Sequence, residues 1–580
     1  MNETNRQNRW VLADPIPPEI AANLGDYSFY FKQILFNRGI VSLNDARRYT
    51  AGGLTPADPF MMLDMQCAAN RISDAITRGE KIAVYGDYDV DGISATALLV
   101  QVIEALGGVA EAYLPNRFEE GYGVNDDALQ TLAGKGFKLV VTVDCGIRSP
   151  HEVETARSLG MDMVITDHHH PASQLPQAAA VVCPKREGDP YPDKNLSGVG
   201  VAYRLAQALA ETCHANVDAI EQWLDLVALG TVADVVPLTG ENRELVRAGL
   251  EQIRKSQRVG LVELAKISGR NIEKLTSIDI SFALGPRLNA AGRMESPWEA
   301  YKLLVAQDES EAKRLAQCLN DKNRERQEST LRMQETVEGY IEGIAEQSLI
   351  LAIPPEFGER DTGLVGLVAS RLVDNYYRPA VVGCRVGQFI RASCRSIPEF
   401  HITRALDDCA DLLVRHGGHA LAAGFTLAQE NLPRFEERLM QIAGDQLRDV
   451  ALAKTHTADV VLPLENMDNV EVSKLIKELD LIHPCGEHNR EATFLSRNVQ
   501  VAKKNVVGME SQHLRLELEF RRPEGGMLRY KAIGFGLGGW LPALPPRVDL
   551  LYKLEIDTYT GTPQLQLRVE DIRPSMPVSG

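Results

Sequence analysis

A chain of 580 residues, 44% apolar and 24% charged, is too long for one hydrophobic core, and two to four domains are expected. No apolar run approaches the ~20 residues that span a bilayer. The polar opening Met1–Trp10 lacks the apolar stretch of a signal peptide, so the expected location is the cytoplasm, with no membrane partner.

The net charge of −17 gives no general attraction for nucleic acid, which needs local positive potential. Divalent metal held by clustered carboxylates would reverse the sign locally. None of the nine cysteines forms a C-x-x-C pair, which argues against a disulfide framework or structural zinc and for reduced, mostly buried thiols.

In chain order, residues 1–75 are expected to pack on the catalytic domain, placed at 76–308. There, short apolar runs at Ile82–Tyr85, Ala110–Leu114, Leu139–Val143, Met163–Thr166 and Ala179–Val182 alternate with helical stretches such as Ala95–Leu106 and Asn125–Ala133. Apolar strands without strict alternation, separated by helices, predict an α/β fold with a parallel sheet covered on both faces. Ligands bind beyond the carboxyl ends of such strands. Residues 309–347 read as a connector helix. Its middle, Asn320 to Ser329, is almost wholly polar, which predicts a helix crossing solvent between domains, with an ordinary surface helix pair as the other reading. A smaller α/β domain is expected at 348–445. At 455–574, period-two alternation (Leu514, Leu516, Leu518, Phe520; Leu550, Tyr552, Leu554, Ile556; Leu565, Leu567, Val569) predicts antiparallel strands closing a small β-barrel such as an OB-fold. Pro523-Glu524-Gly525-Gly526 and Thr560-Gly561-Thr562-Pro563 are the expected turns.

The sharpest local signal is Asp87-Tyr88-Asp89-Val90-Asp91-Gly92, between a strand and a helix. Like charges this close raise each other's pKa or demand a cation, and carboxylate oxygens suit Mg²⁺ and Mn²⁺. A solvated acidic turn is the plainer reading; an EF-hand is not, because no Glu closes the loop. Asp144 ends the third strand, Asp167-His168-His169 the fourth, and Asp234 the run Leu229–Ala233. Singly, each is a common turn or cap residue. Together at one rim of one sheet they would supply about six ligands, enough for two metals sharing a carboxylate.

These motifs, in this order, resemble the signature of the DHH phosphoesterases. Three further blocks, Leu114–Gly123, Leu196–Ala202 and Gly285–Arg293, are similar to the single-strand exonucleases of that family, and Gly417-Gly418-His419 to its DHH-associated domain. The resemblance runs from about residue 30 to 574. It implies a 5′-to-3′ exonuclease specific for single-stranded DNA, acting in repair and recombination and releasing 5′-mononucleotides. It also implies two divalent ions, Mn²⁺ before Mg²⁺. Asp91, Asp144, His168 and Asp234 would hold one ion; Asp87, Asp89 and Asp144 would hold the other.

His169 would touch the phosphoryl group or else orient a ligand, and Asp167 and Asp144 complete the catalytic set. Arg117, Arg287, Asn289, Ser393, Arg395 and His419 are the expected substrate contacts, since an arginine fork suits a terminal phosphate. Salt bridges are the plainer use of any one arginine. Tyr122, Phe282 and Trp540 are candidate stacking residues. Two positions depart from the family pattern: Glu356-Phe357, where a Trp-His pair is common, and Cys394, where Gly or Ala is common.

A monomer, with single-strand binding protein or a helicase as partner, is the expected context. The alternatives are a DHH phosphodiesterase for short oligoribonucleotides or cyclic dinucleotides, a binding protein on a retired catalytic fold, and an aspartyl-nucleophile phosphatase. The last needs no Asp-His-His.

Overall fold

The structure is a computed structural model describing residues 8–575, except 56, 118–119, 122, 257, 342, 344–346, 509–510, 524 and 558–563. Tyr122, Glu524 and the turn Thr560–Pro563 lie outside the described residues. The chain divides into two compact units, 53–452 and the N-terminal residues to 52 together with 453 onward.

In the larger unit, strands β1 (Lys81–Tyr85), β2 (Val109–Tyr113), β3 (Leu139–Thr142), β4 (Asp162–Thr166) and β5 (Ala180–Val182) form a sheet in the order β2-β1-β3-β4-β5. Every neighbouring pair is parallel. Residues pointing to one face (Ile82, Val84, Leu139, Val141, Val164) join a core with helices α1 (Val90–Ala105) and α2 (Gly198–Thr212). Those pointing to the other (Ala83, Tyr85, Val140, Ile165) pack with Leu129 and Val153. Burial on both faces explains why the strands show no polar alternation. The loops after β1, β3 and β4 leave from one edge, where strand order reverses.

Two expectations are corrected in this unit. Leu224–Ala233 is a helix, α3, with Asp234 as its C-cap rather than a strand end. The run is buried on every side, and periodicity cannot separate such a helix from a buried strand. Helix α4 (Gly285–Met294) follows a π-helical turn, Ile280–Leu284. The connector is a 32-residue helix, α5 (Glu309–Tyr340), but it does not cross open solvent. Ala312, Leu315, Ala316 and Leu319 are buried in the catalytic core and Met333 and Val337 in the next one, so a narrow apolar stripe docks its length.

Strands β6 (Ile350–Ala352), β7 (Ala380–Val386), β8 (Phe389–Arg395), β9 (Leu413–Gly418) and β10 (Ala422–Ala428) form a second sheet, ordered β9-β10-β8-β7-β6, in which only β6 and β7 pair parallel. Helix α6 (Val365–Tyr376) packs its Val368, Ala369 and Leu372 on Ile350, Ala380 and Val382.

In the smaller unit, β11 (Phe494–Val507), β12 (His513–Arg521), β13 (Met527–Gly534), β14 (Arg547–Asp557) and β15 (Gln564–Pro574) run β11-β12-β13-β15-β14, and β14 pairs back on β11 to close a five-stranded barrel. Leu514, Leu516, Leu518 and Phe520 are its buried alternate positions, as period two requires.

The N-terminal expectation is corrected here. Phe31, Ile34 and Leu35 are buried in the same core as Phe494, Leu516 and Tyr552, and Arg9–Leu12 pairs parallel with Thr455–Ala458. Residues up to 52 therefore belong to the barrel unit, while Met65–Arg78 packs on the parallel sheet. Amphipathic helices carry no label for the core they join, so the sequence left this open. Among the described residues no helix is long and apolar enough to cross a membrane.

Candidate metal centre and adjoining cleft

The turn after β1 bends straight into α1. Asp89 is the N-cap, its Oδ1 accepting the amide N–H groups of Asp91 (3.0 Å) and Gly92 (3.2 Å). Asp91 lies buried in the first turn and accepts from Gly198 (2.7 Å) and Val199 (2.9 Å) at the start of α2, leaving a second lone pair on each oxygen. Asp144, after β3, takes a left-handed backbone (φ 61°), an uncommon state that the closing turn imposes. Close packing demands glycine nearby. A Cβ on Gly198 would lie 2.6 Å from that of Asp144, and one on Gly230 would lie 2.8 Å from Asp91 Oδ1.

His168 Nε2 sits 3.1 Å from Asp144 Oδ1 and 3.6 Å from Asp234 Oδ2. Two groups emerge whose ligand atoms lie within 4.8 Å of one another: Asp91, His168 and Asp234; and Asp87, Asp89 and Asp144. A third, Asp144 with His168 and His169, makes Asp144 the residue between them.

The donor set fits divalent metal. Asp87 Oδ1, Asp144 Oδ1, Asp234 Oδ2 and His168 Nε2 are buried without a hydrogen-bond partner. Burial first, and neighbouring aspartates second, push Asp87, Asp144 and Asp234 well above the carboxylate range, and Asp91 to about 7. So much buried negative charge is unfavourable without a cation. Burial and the charge of His169 push His168 down to about 3, so its imidazole is neutral, as a ligand must be.

Asp167 is different. Its Oδ1 accepts from the amides of His168 (2.7 Å) and His169 (3.0 Å) and from His169 Nδ1 (2.7 Å), and Oδ2 accepts from Ile147 (3.0 Å). Those bonds hold it below the carboxylate range against the opposing effect of burial. Burial would lower His169, but Asp167, Asp91 and Asp89 outweigh it and raise its pKa.

A cleft of about 510 Å³ opens from Asp87, Asp89 and His169. Of the expected substrate contacts, Arg117, Asn289, Ser393 and Arg395 line it. Asn289 Oδ1 accepts the Val90 amide (3.1 Å), and Arg117 lies over the Tyr88 ring, 5.1 Å from its centroid. His419 lines a neighbouring cavity of about 390 Å³ that shares His169 with the cleft and adds Asp167, with its ring 6.0 Å from that of His170.

Arg287 is not among the residues lining either cavity. It donates to Asn320 Oδ1 (3.0 Å) and the Ala283 carbonyl (2.7 Å), tying α4 to α5. Sequence reasoning passed over Arg293, Arg391 and Arg415, which line the larger cleft. Arg293 closes the Gly285–Arg293 block, and period two along Arg391-Ala392-Ser393-Cys394-Arg395 puts Arg391 on the same face as Ser393 and Arg395. Phe282 is 77% exposed in the π-helical turn, whereas Trp540 packs partly on the barrel core. The family departures fall away from the cleft: Cys394 and Phe357 are buried in apolar clusters and Glu356 is exposed.

The chain matches the DHH family, N-terminal domain, over residues 81–231, the DHHA1 domain over 350–445 and the RecJ OB domain over 458–571. It is 33% identical over 564 residues to the "Single-stranded-DNA-specific exonuclease RecJ" of Dickeya dadantii, covering 94% of this chain and 96% of that one. It is 36% identical over 520 residues to the protein of the same name in Bacillus subtilis, covering 89% of this chain and 64% of that longer one. The crystal structure of RecJ from Thermus thermophilus in complex with Mn²⁺ superposes with a TM-score of 0.82 at 28% identity, over 99% of this chain and 80% of that chain; its Mg²⁺ complex gives 0.77 at 27%, over 99% and 79%. The order of three matched domains and the 33% identity over nearly the whole length of the Dickeya protein assign this chain to the RecJ family.

Proposed function

We propose that this chain is a metal-dependent exonuclease that hydrolyses single-stranded DNA from its 5′ end, releasing 5′-mononucleotides, in DNA repair and recombination. The observation carrying this reading is that Asp144 shares ligand reach with Asp87 and Asp89 on one side and with His168 and His169 on the other, and that Asp87, Asp89 and His169 line a cleft with five arginines. Relatives over most of its length bear the name of single-stranded-DNA-specific exonuclease. The barrel, matched as a RecJ OB domain, favours a long strand over oligoribonucleotides or cyclic dinucleotides.

Asp91, Asp144, His168 and Asp234 would hold one ion, and Asp87, Asp89 and Asp144 the other, Mn²⁺ before Mg²⁺. The pair would activate water and stabilise charge on the phosphoryl group. His169, partly exposed at the cleft rim and with its pKa raised by Asp167, would face the phosphoryl oxygens and offer a proton. Arg395, Ser393, Arg117 and Arg293 grip the terminal 5′-phosphate. That grip sets the polarity, because the scissile bond then lies one nucleotide away, over the aspartates. Asn289 holds the Val90 turn in register. His419 contacts the strand from the neighbouring cavity, and Arg287 positions α4 rather than touching the end.

The division at 76–308, 309–347, 348–445 and 455–574 belongs to the same reading. So do a cytoplasmic monomer and a partner, single-strand binding protein or a helicase, that supplies free strand.

The test is mononucleotide release from 5′-phosphorylated single strands with Mn²⁺. Asp89→Ala and His168→Ala should each lose activity by ~10³-fold or more, the scale of several kcal/mol of charge stabilisation. Undiminished activity in either would overturn the metal assignment.

A further inference from the structure

We propose that the cleft also accepts strands ending in a 5′-triphosphate and releases their first residue intact as a nucleoside 5′-triphosphate. The inference rests on the exonuclease reading above and extends its substrate class.

The second sheet presents a shelf to the cleft. Along β8, Arg391, Ser393 and Arg395 share one face, while Ile390 and Cys394 point into the core. Across the sheet, Ser393 registers with Gly424 of β10, and Arg391 with Thr426, which in turn registers with Arg415 of β9. The shelf therefore has two cationic levels. The first, Ser393 and Arg395, shares the cleft with Asp87 and His169. The second, Arg391 and Arg415, lies one pleat repeat beyond Ser393, about 6.7 Å, and two beyond the backbone of Arg395. Opposite Ser393, Gly424 leaves the floor of the first level bare: a Cβ there would meet only the Ala392 carbonyl, at 3.3 Å.

The first level suffices for one terminal phosphate. Arg395 donates to Ser393 Oγ (3.4 Å) and the Cys394 carbonyl (2.8 Å), and Arg293 to the Gly363 carbonyl (3.3 Å). These partners are neutral, so both guanidinium charges stay available for an anion. Burial lowers the pKa of both, and for Arg293 the charges of Arg117 and Arg326 add to that against the opposing pull of Asp89. Arg391 and Arg415 are surplus to that need. Both are exposed, and the described partner of Arg415 is the Thr426 hydroxyl (3.1 Å). Among the described residues, Glu359 is the one carboxylate lining the cleft outside the metal groups. Two more phosphoryl groups extending past the bare Gly424 toward Thr426 meet cations suited to bidentate contact.

The chemistry balances without a further reactant. Water oxygen bonds to the scissile phosphorus, the P–O3′ bond breaks, and the proton passes to O3′. The first residue leaves with its triphosphate, and the remaining strand carries an ordinary 5′-monophosphate for the next cycle.

The experiment compares one single-stranded oligonucleotide bearing a 5′-triphosphate or a 5′-monophosphate, with Mn²⁺, and identifies the first product by chromatography. Wild type should release nucleoside triphosphate. The double variant Arg391→Ala/Arg415→Ala should lose at least ~10-fold on the triphosphate end while staying within about two-fold on the monophosphate end, which also reports that it is folded. Arg391→Lys/Arg415→Lys should recover part of the loss. Failure of wild type to process the triphosphate end while degrading the monophosphate strand overturns this inference alone. Equal effects of the double variant on both ends overturn it too. Degradation of neither strand refutes the exonuclease reading, and this inference with it.

Discussion

His169 Nδ1 lies 2.7 Å from Asp167 Oδ1, and that oxygen also accepts the amide N–H groups of both His168 and His169. One carboxylate thus fixes the turn and the histidine ring together, although it reaches no metal group among the described residues. Asp167→Asn keeps the shape but replaces one acceptor with a donor. We expect kcat to fall ~10- to 100-fold with KM for single-stranded DNA little changed, measured by steady-state release of mononucleotides.

Packing around Asp144 gives a second expectation. Gly198→Ala puts a methyl 2.6 Å from the Asp144 Cβ and 2.7 Å from its Oδ1, so the carboxylate must move. Overpacking of this kind costs ~1–3 kcal/mol of stability. A drop in Mn²⁺ affinity of ~10-fold or more should accompany it, read by metal titration; a stability loss with unchanged affinity would contradict the role given to Asp144.

Metal removal should make stability depend on pH. In the metal-free protein, burial and mutual repulsion raise Asp87, Asp144 and Asp234 above their unfolded values. A raised folded pKa contributes stability below the unfolded value and loses it as pH rises through the folded value. The metal-free Tm should therefore fall from acidic toward neutral and mildly alkaline pH. Mn²⁺ binds the ionised carboxylates, so it should raise Tm more at pH 8 than at pH 6; saturation at ~100-fold over Kd is worth ~2.7 kcal/mol. Thermal melts with and without chelator measure this directly.

The terminal-phosphate grip predicts end selectivity. Arg395→Ala removes a guanidinium whose described partners are neutral. Rates on 5′-phosphorylated and 5′-hydroxyl strands should converge by ~10- to 100-fold, the worth of a charge-assisted hydrogen bond. A loss shared equally by both ends would mean that Arg395 holds the strand elsewhere.

Much of the architecture was legible in the chain. The five apolar runs are the five parallel strands within a residue or two, because strands buried on both faces advertise themselves by composition. The acidic turn, Asp144 and Asp167-His168-His169 could be placed at one rim because a parallel sheet puts the loop after every strand at the same edge. What periodicity could not decide was the nature of Leu224–Ala233, buried all round, and the partner of the N-terminal helices, whose apolar faces suit any core.

Local pattern determined which residues carry the chemistry; only the tertiary structure decided how each is used. It ties up every oxygen of Asp167 and leaves Asp144 and His168 with unpartnered atoms. It turns Arg287 toward α5, and it sets Arg391 and Arg415 on the same shelf as Arg395. The reason is physical. A side chain's type follows from the sequence, but its burial, and therefore its charge state and free valences, follows from neighbours far away along the chain.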